Sequence, residues 1–173
     1  MAHWLPRLLK HRLLDEGDAR RALGGASALA HIESRVTASE ARHSGQIRVC
    51  VEAGLPLSYL QRHASPRDRA IAMFGKLRVW DTAHNNGVLI YLLLAERAIE
   101  IVADRGIAAR VDAAAWTAIA LEMQGTFRGR EFAAGLDRAI DAVDALLVQH
   151  FPRTTGVPAG DYPNELPDAP VIR

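Results

Sequence analysis

The residues with the greatest capacity for chemistry form a short polar run at 81–87, DTAHNNG, directly before the apolar run 88–95. The polar run carries one carboxylate, one imidazole and two amides, from Asp81, His84, Asn85 and Asn86. Carboxylate and amide oxygens are ligands that Ca²⁺ and Mg²⁺ accept, and imidazole nitrogen suits a softer metal. The alternative interpretation is that Asn-Asn-Gly is only a turn, because these residues tolerate left-handed backbone.

Two other short motifs carry residues of the same chemical kind. The segment 40–46, EARHSGQ, contains a carboxylate, an imidazole and a hydroxyl, and the segment 104–106, DRG, contains a carboxylate and a guanidinium. The side chains concerned are Glu40, His43, Ser44, Asp104 and Arg105. Each also has a purely structural interpretation, because an acidic residue beside a turn often caps the chain or pairs with a nearby arginine. A lone histidine in such a loop is typically an exposed polar residue.

Three strand patterns separate these motifs. Residues 46–52 alternate isoleucine and valine on one face, 87–94 are apolar on both faces, and 98–103 follow after a short link. Alternation is typical of a strand, and a continuous apolar run is typical of a central one. Ser65-Pro66 predicts a helix start between the first two strands, with serine as N-cap. This helical crossover makes those two strands parallel, and the short link makes the third antiparallel to the second.

This topology predicts that the three polar motifs meet at one edge of the sheet. Strands one and two begin at that edge and strand three ends there, with neighbouring strands about 4.8 Å apart. Because oxygen ligands from all three motifs could then approach one another, the sequence predicts a weak site for Ca²⁺ or Mg²⁺. Its predicted ligands are Glu40, Asp81, Asn85 and Asp104, with His43, Ser44, His84, Asn86 and Arg105 as further candidates.

Helical periodicity accounts for most of the remaining central chain. It predicts a helix at 27–41, a loop at 54–64, and a helix from Asp112 that QGTFRGRE at 124–131 interrupts before a final helix to about residue 150. The expected fold class is therefore α/β. It is a three-layer α/β/α sandwich around a small mixed sheet, at 26–150.

The two ends of the chain have different patterns. Residues 1–25 are expected to form an amphipathic helical extension, whose apolar stripe either docks on the domain or contacts a membrane surface or partner through residues 4–13. Residues 151–173 contain five of the eight prolines and no periodicity. They are expected to form an extended or disordered tail.

Composition excludes several classes of protein. Lys+Arg 21 against Asp+Glu 20 leaves a net charge of +1, so no basic field attracts nucleic acid. Cys50 is the only cysteine and lies in a strand pattern, which predicts a buried thiol and excludes an internal disulfide. The longest apolar run is shorter than a bilayer span of ~20 residues. With no signal-peptide pattern, we expect a cytoplasmic location, and a position peripheral to the inner membrane is the alternative.

Four motifs together resemble the TPM-domain family. They are E-x-x-H-S-G-Q-I-x-V at 40–49, N-G-V-L-I-Y at 86–91, I-E-I-V-A-D-R-G-I at 99–107 and F-R-G-R-E-F-A-A-G-L at 127–136. Each motif alone is weak, but their order and spacing across 27–150 are fairly specific. The resemblance implies an α/β/α sandwich around a small mixed sheet. It also implies a choice of roles, because some relatives are described as acid phosphatases, some bind calcium and others assist membrane complexes.

The residues favour an interaction domain over an enzyme. The chain has no phosphate-binding glycine loop, no nucleophile elbow and no zinc-binding H-E-x-x-H motif. A metal-dependent phosphatase would need a cation at the polar edge, with Arg105 clamping the phosphate. We therefore expect a non-enzymatic TPM-like accessory domain that binds a protein partner, with Ca²⁺ or Mg²⁺ as a possible ligand and no nucleic acid. The metal-dependent acid phosphatase is the alternative.

Overall fold

The computed structural model describes residues 4–153 and 162–173 of the chain. Within these ranges the chain forms eight α-helices and four β-strands. They are α1 (Trp4–Arg12), α2 (Glu16–Leu23), α3 (Gly25–Glu40), β1 (Gln46–Glu52), α4 (Leu57–Gln61), α5 (Pro66–Lys76), β2 (Gly87–Leu93), β3 (Ala98–Ala103), α6 (Arg105–Ala108), α7 (Ala113–Arg128), α8 (Phe132–His150) and β4 (Val171–Ile172).

The four strands form one mixed sheet in the order β3-β2-β1-β4. β1 and β2 are parallel, with Gln46 opposite Gly87, and β3 is antiparallel to β2, with Ala98 opposite Leu93. These three strands and their directions confirm the predicted topology. The strand that sequence reasoning did not predict is β4, which pairs parallel to the other side of β1.

Helix α5 makes the parallel arrangement possible, and its start is encoded locally. Ser65 accepts a hydrogen bond from the Asp68 N–H, and Asp68 in turn accepts one from the Ser65 N–H, so the two form a capping box. Pro66 follows at the first helical position. Such caps typically contribute ~1 kcal/mol to helix stability. The helix carries the chain back across the sheet, so that β2 begins at the same edge as β1.

The sheet separates two apolar layers. One face, which includes Ile47, Val88 and Ile99, packs under α2, α3, α7 and α8. The other face, which includes Cys50 and Tyr91, packs under α4, α5 and the C-terminal residues. Every residue of β1 and β2 is buried, as expected for central strands covered on both sides. The three-layer α/β/α prediction and the burial of Cys50 are confirmed.

A buried polar group joins β1, β2 and α5 at the ends of the two parallel strands. The Glu52 carboxylate accepts hydrogen bonds from Arg69 Nε at 2.8 Å and Nη2 at 2.5 Å. It also accepts one from the Tyr91 hydroxyl at 2.6 Å. Because the charge is paired and its oxygens are hydrogen-bonded, the cluster can remain in the interior without a large desolvation cost. It holds the crossover helix in register with both strands.

Two local predictions were wrong. The predicted loop at 54–64 contains the short helix α4, and α7 continues through most of QGTFRGRE to Arg128. Only residues 129–131 separate α7 from α8. Gly125 did not end the helix, because one internal glycine costs only about 1 kcal/mol, and the helix ends before Gly129.

The N-terminal helix α1 is docked on the domain. His11 is buried, and its Nδ1 accepts a hydrogen bond from the Leu55 N–H at 2.9 Å. Its Nε2 lies 2.9 Å from Glu96 Oε1. A Cβ on Gly54 would lie 2.4 Å from the His11 carbonyl oxygen, so only glycine permits this approach. The side chain of Trp4, which also belongs to the predicted apolar stripe, lies outside the described part. Among the described helices, none combines the length and apolar character that crossing a bilayer requires.

The C-terminal segment also belongs to the folded domain where it is described. Residues 162–173 run along the β1 side of the sheet, and β4 lies at their end. Arg173 extends this pairing, because its N–H donates to the Val51 carbonyl at 2.9 Å and its carbonyl accepts from the Ala53 N–H at 2.7 Å. Residues 154–161, the middle of the predicted tail, lie outside the described residues.

Candidate functional site

Three polar segments converge at the edge where β1 and β2 begin and β3 ends. We call this region, made by residues 40–46, 81–87 and 104–106, the polar edge. The Gln46 N–H donates to the Asn86 carbonyl at 3.3 Å, and the Gly106 N–H donates to the Asn85 carbonyl at 2.8 Å. The predicted convergence of the segments is therefore present in the fold, and backbone hydrogen bonds hold it.

Two glycines allow the segments to approach so closely. A Cβ on Gly87 would lie 2.0 Å from the Val79 carbonyl oxygen, and one on Gly106 would lie 2.5 Å from the His84 carbonyl oxygen. Asn85 has φ 51°, in the left-handed region that asparagine tolerates. The turn interpretation of Asn-Asn-Gly thus describes a real feature of the backbone, whatever else these residues do.

Most polar groups of the loop 81–86 have partners within the protein. Asp81 is exposed and pairs with Arg78, with 2.7 Å between Oδ2 and Nη2. Asn86 is buried, its N–H donates to Thr82 Oγ1 at 3.1 Å and its Nδ2 donates to Ser44 Oγ at 3.4 Å. His84 is exposed, as predicted. The Asp81 side chain therefore forms an ion pair at the surface, whereas the Asn86 side chain is buried.

Asp104 differs from the other carboxylates of the polar edge. Its Oδ1 accepts a hydrogen bond from the Arg105 N–H at 2.7 Å and so caps α6. Its Oδ2 is buried and has no hydrogen-bond partner in the described part of the chain. The neighbouring Arg105 Nε donates to Asn85 Oδ1 at 3.0 Å, which joins the second and third polar segments. Asp104 therefore offers one acceptor oxygen that the surrounding protein leaves unsatisfied.

Glu40 is the last residue of α3, and its carboxyl group is engaged with the backbone of β1. Its Oε1 accepts a hydrogen bond from the Ile47 N–H at 2.7 Å, and the side chain is buried. Burial raises the pKa of Glu40 to about 8; the nearby Asp168 carboxylate raises it further, while the Ile47 hydrogen bond and Arg153 oppose the shift. At neutral pH the group is mainly protonated, and a neutral carboxyl is a poor ligand for a hard cation.

The structure corrects the expectation for His43, which is completely buried rather than exposed. Its Nδ1 lies 3.1 Å from the Gly45 carbonyl oxygen, and Ser39 Oγ lies 2.9 Å from its Nε2. Ser39 Oγ donates to Asp144 Oδ1 at 2.7 Å. Burial lowers the pKa of His43 to about 4, against the opposing effect of Asp144, so the imidazole is neutral at pH 7. A neutral imidazole has one N–H, which can serve only one of its two neighbouring acceptors, the Gly45 carbonyl at Nδ1 or Ser39 Oγ at Nε2.

Sequence reasoning missed this Ser39–His43–Asp144 cluster. Ser39 lies in the last turn of α3 and His43 lies beyond its end, so no helical spacing linked the two, and nothing in α8 pointed to Asp144. The three residue types match a hydrolytic triad, in which the carboxylate orients the imidazole Nδ1 and the imidazole accepts the serine proton. Here the carboxylate accepts the serine proton instead, and Nδ1 faces a backbone carbonyl. The cluster joins α3 to α8.

The C-terminal segment covers part of the polar edge, which was also missed. Gln46 Oε1 accepts hydrogen bonds from the Glu165 N–H at 2.9 Å and the Leu166 N–H at 3.0 Å. The Glu165 carboxylate accepts the Ala83 N–H, with 2.9 Å to Oε2. Arg48 donates to the carbonyls of Pro167 and Ala169. Loop 81–86 is therefore held from outside by a segment distant in sequence.

The predicted metal ligands are not gathered as one set. In the described residues no group of three histidine, cysteine, aspartate or glutamate side chains is arranged to hold a metal ion. Glu40 and Asp81 are engaged elsewhere, whereas Asp104 and Asn85 stand on adjoining loops. Cation binding stays a prediction, and the unsatisfied Asp104 oxygen is the observation that fits it.

The layered fold and its polar edge place the chain among α/β/α sandwich domains with a small mixed sheet. The chain belongs to the TPM domain family, whose sequence model matches residues 25–146. This agrees with the resemblance read from the motifs. A comparison with curated proteins finds no match.

Two solved structures have the same architecture. The chain resembles the BA42 protein of the psychrophilic bacterium Bizionia argentinensis, with 27% identity and a TM-score of 0.71, over 84% of this chain and 92% of that one. It also resembles the N-terminal domain of a protein from P. gingivalis, with 18% identity and a TM-score of 0.60, over 82% of this chain and 94% of that one. The second likeness concerns the fold alone.

Proposed function

We propose that this TPM domain is a non-enzymatic interaction domain that binds a protein partner and holds Ca²⁺ or Mg²⁺ weakly at its polar edge. The observation that carries the proposal is the engagement of the groups that hydrolysis would need. Ser39 and His43 are buried, and the serine proton is donated to Asp144. A nucleophile needs both access to substrate and a base that accepts its proton.

The exposed polar groups support the same conclusion. Arg105, the predicted phosphate clamp, donates to Asn85 Oδ1, and Asp81 pairs with Arg78. Phosphoryl transfer requires positive groups directed at the phosphate oxygens. Here the Arg105 guanidinium is used to join two loops of the polar edge.

The cation part of the proposal depends on Asp104 and Asn85. Asp104 Oδ2 is buried and unsatisfied in the described part of the chain, and such a group normally has a water or ion partner. A bound cation would supply positive charge to that oxygen. Asp104 would be the charged ligand and Asn85 a neutral one, so the affinity would be low.

A thermal melt of EDTA-treated protein, titrated with CaCl₂ or MgCl₂, tests this part. An ion concentration a hundredfold above Kd stabilises the folded state by about 2.7 kcal/mol. For a domain of this size, that raises the melting temperature by about 5–10 °C. We expect Asp104→Asn to abolish the shift and Asp81→Asn, the matched surface control, to retain it. A shift that persists in Asp104→Asn would contradict the assignment of the site.

Hydrolysis of p-nitrophenyl phosphate tests the non-enzymatic part. The expected result is no turnover above the protein-free blank, with EDTA or with either cation, at acidic and neutral pH. Turnover that disappears in Asp104→Asn would overturn the proposal in favour of a metal-dependent phosphatase.

Membrane-surface contact is a second candidate role, and the exposure of α1 supports it. Leu9 and Leu13 are 55% and 75% exposed and lie one helical turn apart, beside Lys10 and Arg12. Apolar side chains flanked by cations are typical of helices that bind anionic bilayers. We expect the double variant Leu9→Ser/Leu13→Ser to lose cosedimentation with vesicles containing phosphatidylserine. Leu57→Ser, at another exposed leucine, should leave cosedimentation unchanged. Equal cosedimentation of the wild type, the double variant and Leu57→Ser would reject this role.

A further inference from the structure

Strand β3 is the last strand on its side of the sheet, and its outer edge has no strand partner among the described residues. Asp104 N–H, just after β3, donates to the Gly87 carbonyl of β2. Because the backbone groups of a strand alternate in direction, Val102 and Glu100 also face β2. The N–H and C=O groups of Ile99, Ile101 and Ala103 therefore face outward.

One side chain protects part of this edge. Arg67 of α5 donates from Nη1 to the Ile101 carbonyl at 2.5 Å, which independently confirms that this carbonyl faces outward. The same nitrogen lies 3.6 Å from Glu100 Oε2. A cation over an edge strand is a common device against uncontrolled strand pairing. Here it is reversible, because Glu100 can accept the guanidinium if the carbonyl takes another donor.

A groove of about 550 Å³ lies beside the edge, between β3 and α7. Its β3 wall includes Ile99 and Ile101, and its α7 wall includes Trp116 and Leu121. The Leu121 side chain is 63% exposed. The Trp116 Nε1–H is buried and has no acceptor in the described part of the chain. The groove thus combines a mixed lining, in which apolar side chains of β3 and α7 stand beside Arg67 and Glu100, with one donor that is unsatisfied in the described part of the chain.

The α5 side of the β3 edge also has an exposed apolar side chain. Ile71 of α5 is 53% exposed and lies one helical turn after Arg67, on the same side of that helix. Both helices that flank β3 therefore present a large apolar side chain to solvent. An added strand directs its side chains alternately to the two faces of a sheet, so both would be covered.

We propose that the outer edge of β3 binds an extended segment of a partner protein as a fifth strand. This deepens the interaction role proposed above and rests on it. The segment is uncharged, because Arg67 and Glu100 already neutralise each other at the edge and the other residues that line the groove carry no charge. Its N–H replaces Arg67 at the Ile101 carbonyl, its apolar side chains contact Leu121, and an oxygen of the segment accepts the Trp116 indole proton. Strand addition of this kind takes affinity from the main chain and specificity from alternate side chains.

The test uses the full ¹⁵N-labelled chain and a soluble peptide of alternating valine and threonine with a lysine at each end. At a free peptide concentration of ten times Kd, about one protein molecule in eleven is unbound. Amide exchange that proceeds through the unbound protein should therefore slow about elevenfold at Ile99, Ile101 and Ala103. Glu100 and Val102 should change less, since they already donate to β2, and the Trp116 indole resonance should shift. The same peptide N-methylated at alternate amides is the control. Equal binding of both peptides would overturn strand addition.

Two variants locate the site. Leu121→Ser should weaken binding of the peptide, whereas Leu57→Ser should not. Arg67→Ala should tighten it, because the Ile101 carbonyl is then free before binding. Weaker binding to Arg67→Ala would contradict the proposed exchange of partners. None of these measurements uses catalysis, so the proposed strand can fail while the non-enzymatic assignment stands, or the reverse.

Sedimentation of the free chain separates a partner segment from a second copy. The expected result is a monomer over the concentration range of the titration. A dimer that Leu121→Ser dissociates would assign the edge to pairing between two copies of the chain and overturn the proposal.

Discussion

At the residue scale, burial changes the chemistry that a side chain can perform. Glu40 would be an ionised ligand in solution, but the fold buries it against β1 and raises its pKa to about 8. His43 would titrate near neutral pH, but burial lowers its pKa to about 4. Asp104 keeps one oxygen unsatisfied in the described part of the chain. All three residues were candidate ligands, but the fold gives each a different protonation state or a different set of hydrogen-bond partners.

The Glu40 shift predicts a pH dependence of stability. Between the unfolded pKa, near 4.5, and the folded pKa, about 8, the folded state binds more protons than the unfolded state. The contribution of Glu40 to stability should therefore fall as pH rises through this window. In Glu40→Gln this fall should be absent, because the amide does not ionise and its oxygen can still accept from Ile47. At pH 8 we expect the variant to be the more stable protein, by up to a few kcal/mol.

Urea unfolding at intervals from pH 5 to 8 measures this effect. Glu33→Gln is the matched control, because Glu33 is exposed on the same helix. The control should follow the wild type across the range. Parallel curves for the wild type and Glu40→Gln would show that Glu40 is ionised in the folded protein.

At the scale of elements, the described side chains attach α1 through hydrogen bonds of His11 and Arg7 as well as through the apolar Leu8. His11 connects the Leu55 N–H to Glu96, and Arg7 Nε donates to the same carboxylate at 2.8 Å. The hydrogen bond with His11 has the largest effect on the Glu96 carboxyl and lowers its pKa, and the hydrogen bond with Arg7 lowers the pKa further. This polar attachment leaves Leu9 and Leu13 exposed, which explains how the helix can be docked and still present an apolar surface.

Replacement of His11 should therefore loosen α1 specifically. His11→Ala leaves the buried Leu55 N–H unsatisfied, which costs roughly 1–3 kcal/mol. We expect the free energy of unfolding to fall by about that amount, and proteolysis within residues 4–12 to become faster. His84→Ala, at an exposed histidine, should change neither quantity. Unchanged protection of α1 in His11→Ala would mean that apolar contacts alone hold the helix.

At the scale of the whole molecule, the C-terminal segment closes both the sheet and the polar edge. β4 covers the outer side of β1, and Leu166 is buried against the α5 layer. Glu165 binds loop 81–86 through the Ala83 N–H. The segment therefore stabilises the central strand and positions the loop that precedes β2.

Removal of residues 164–173 tests that role. The truncated chain should lose at least about 3 kcal/mol of unfolding free energy, because it loses a buried leucine and leaves Arg48 and Gln46 without their partners. Amide exchange should accelerate in the β1 residues that face β4 and remain slow in β2, which provides an internal control. An unchanged melting temperature would show that the segment rests on the domain without stabilising it.

The sequence alone determined the elements whose signals are local. The Ser65-Pro66 cap, the alternation in β1 and the continuous apolar run in β2 each lie within a few residues, and the short link to β3 dictated its direction. Chain geometry then brought the three polar motifs to one edge. Local signals were weaker at α4 and at the end of α7, where a loop and a break were predicted instead of helix.

Only the tertiary structure decided what the polar residues do. Asp144 accepts the Ser39 hydrogen bond beside His43 and opposes the fall of the His43 pKa. The raised pKa of Glu40 depends on its depth and on Asp168, and the cover over loop 81–86 depends on Glu165. These partners are separated by about a hundred residues, and no local periodicity or cap encodes such pairs. Side-chain protonation and free hydrogen-bonding capacity are set by the dielectric surroundings and by the partners that the packed fold supplies, so they emerge only when distant segments meet.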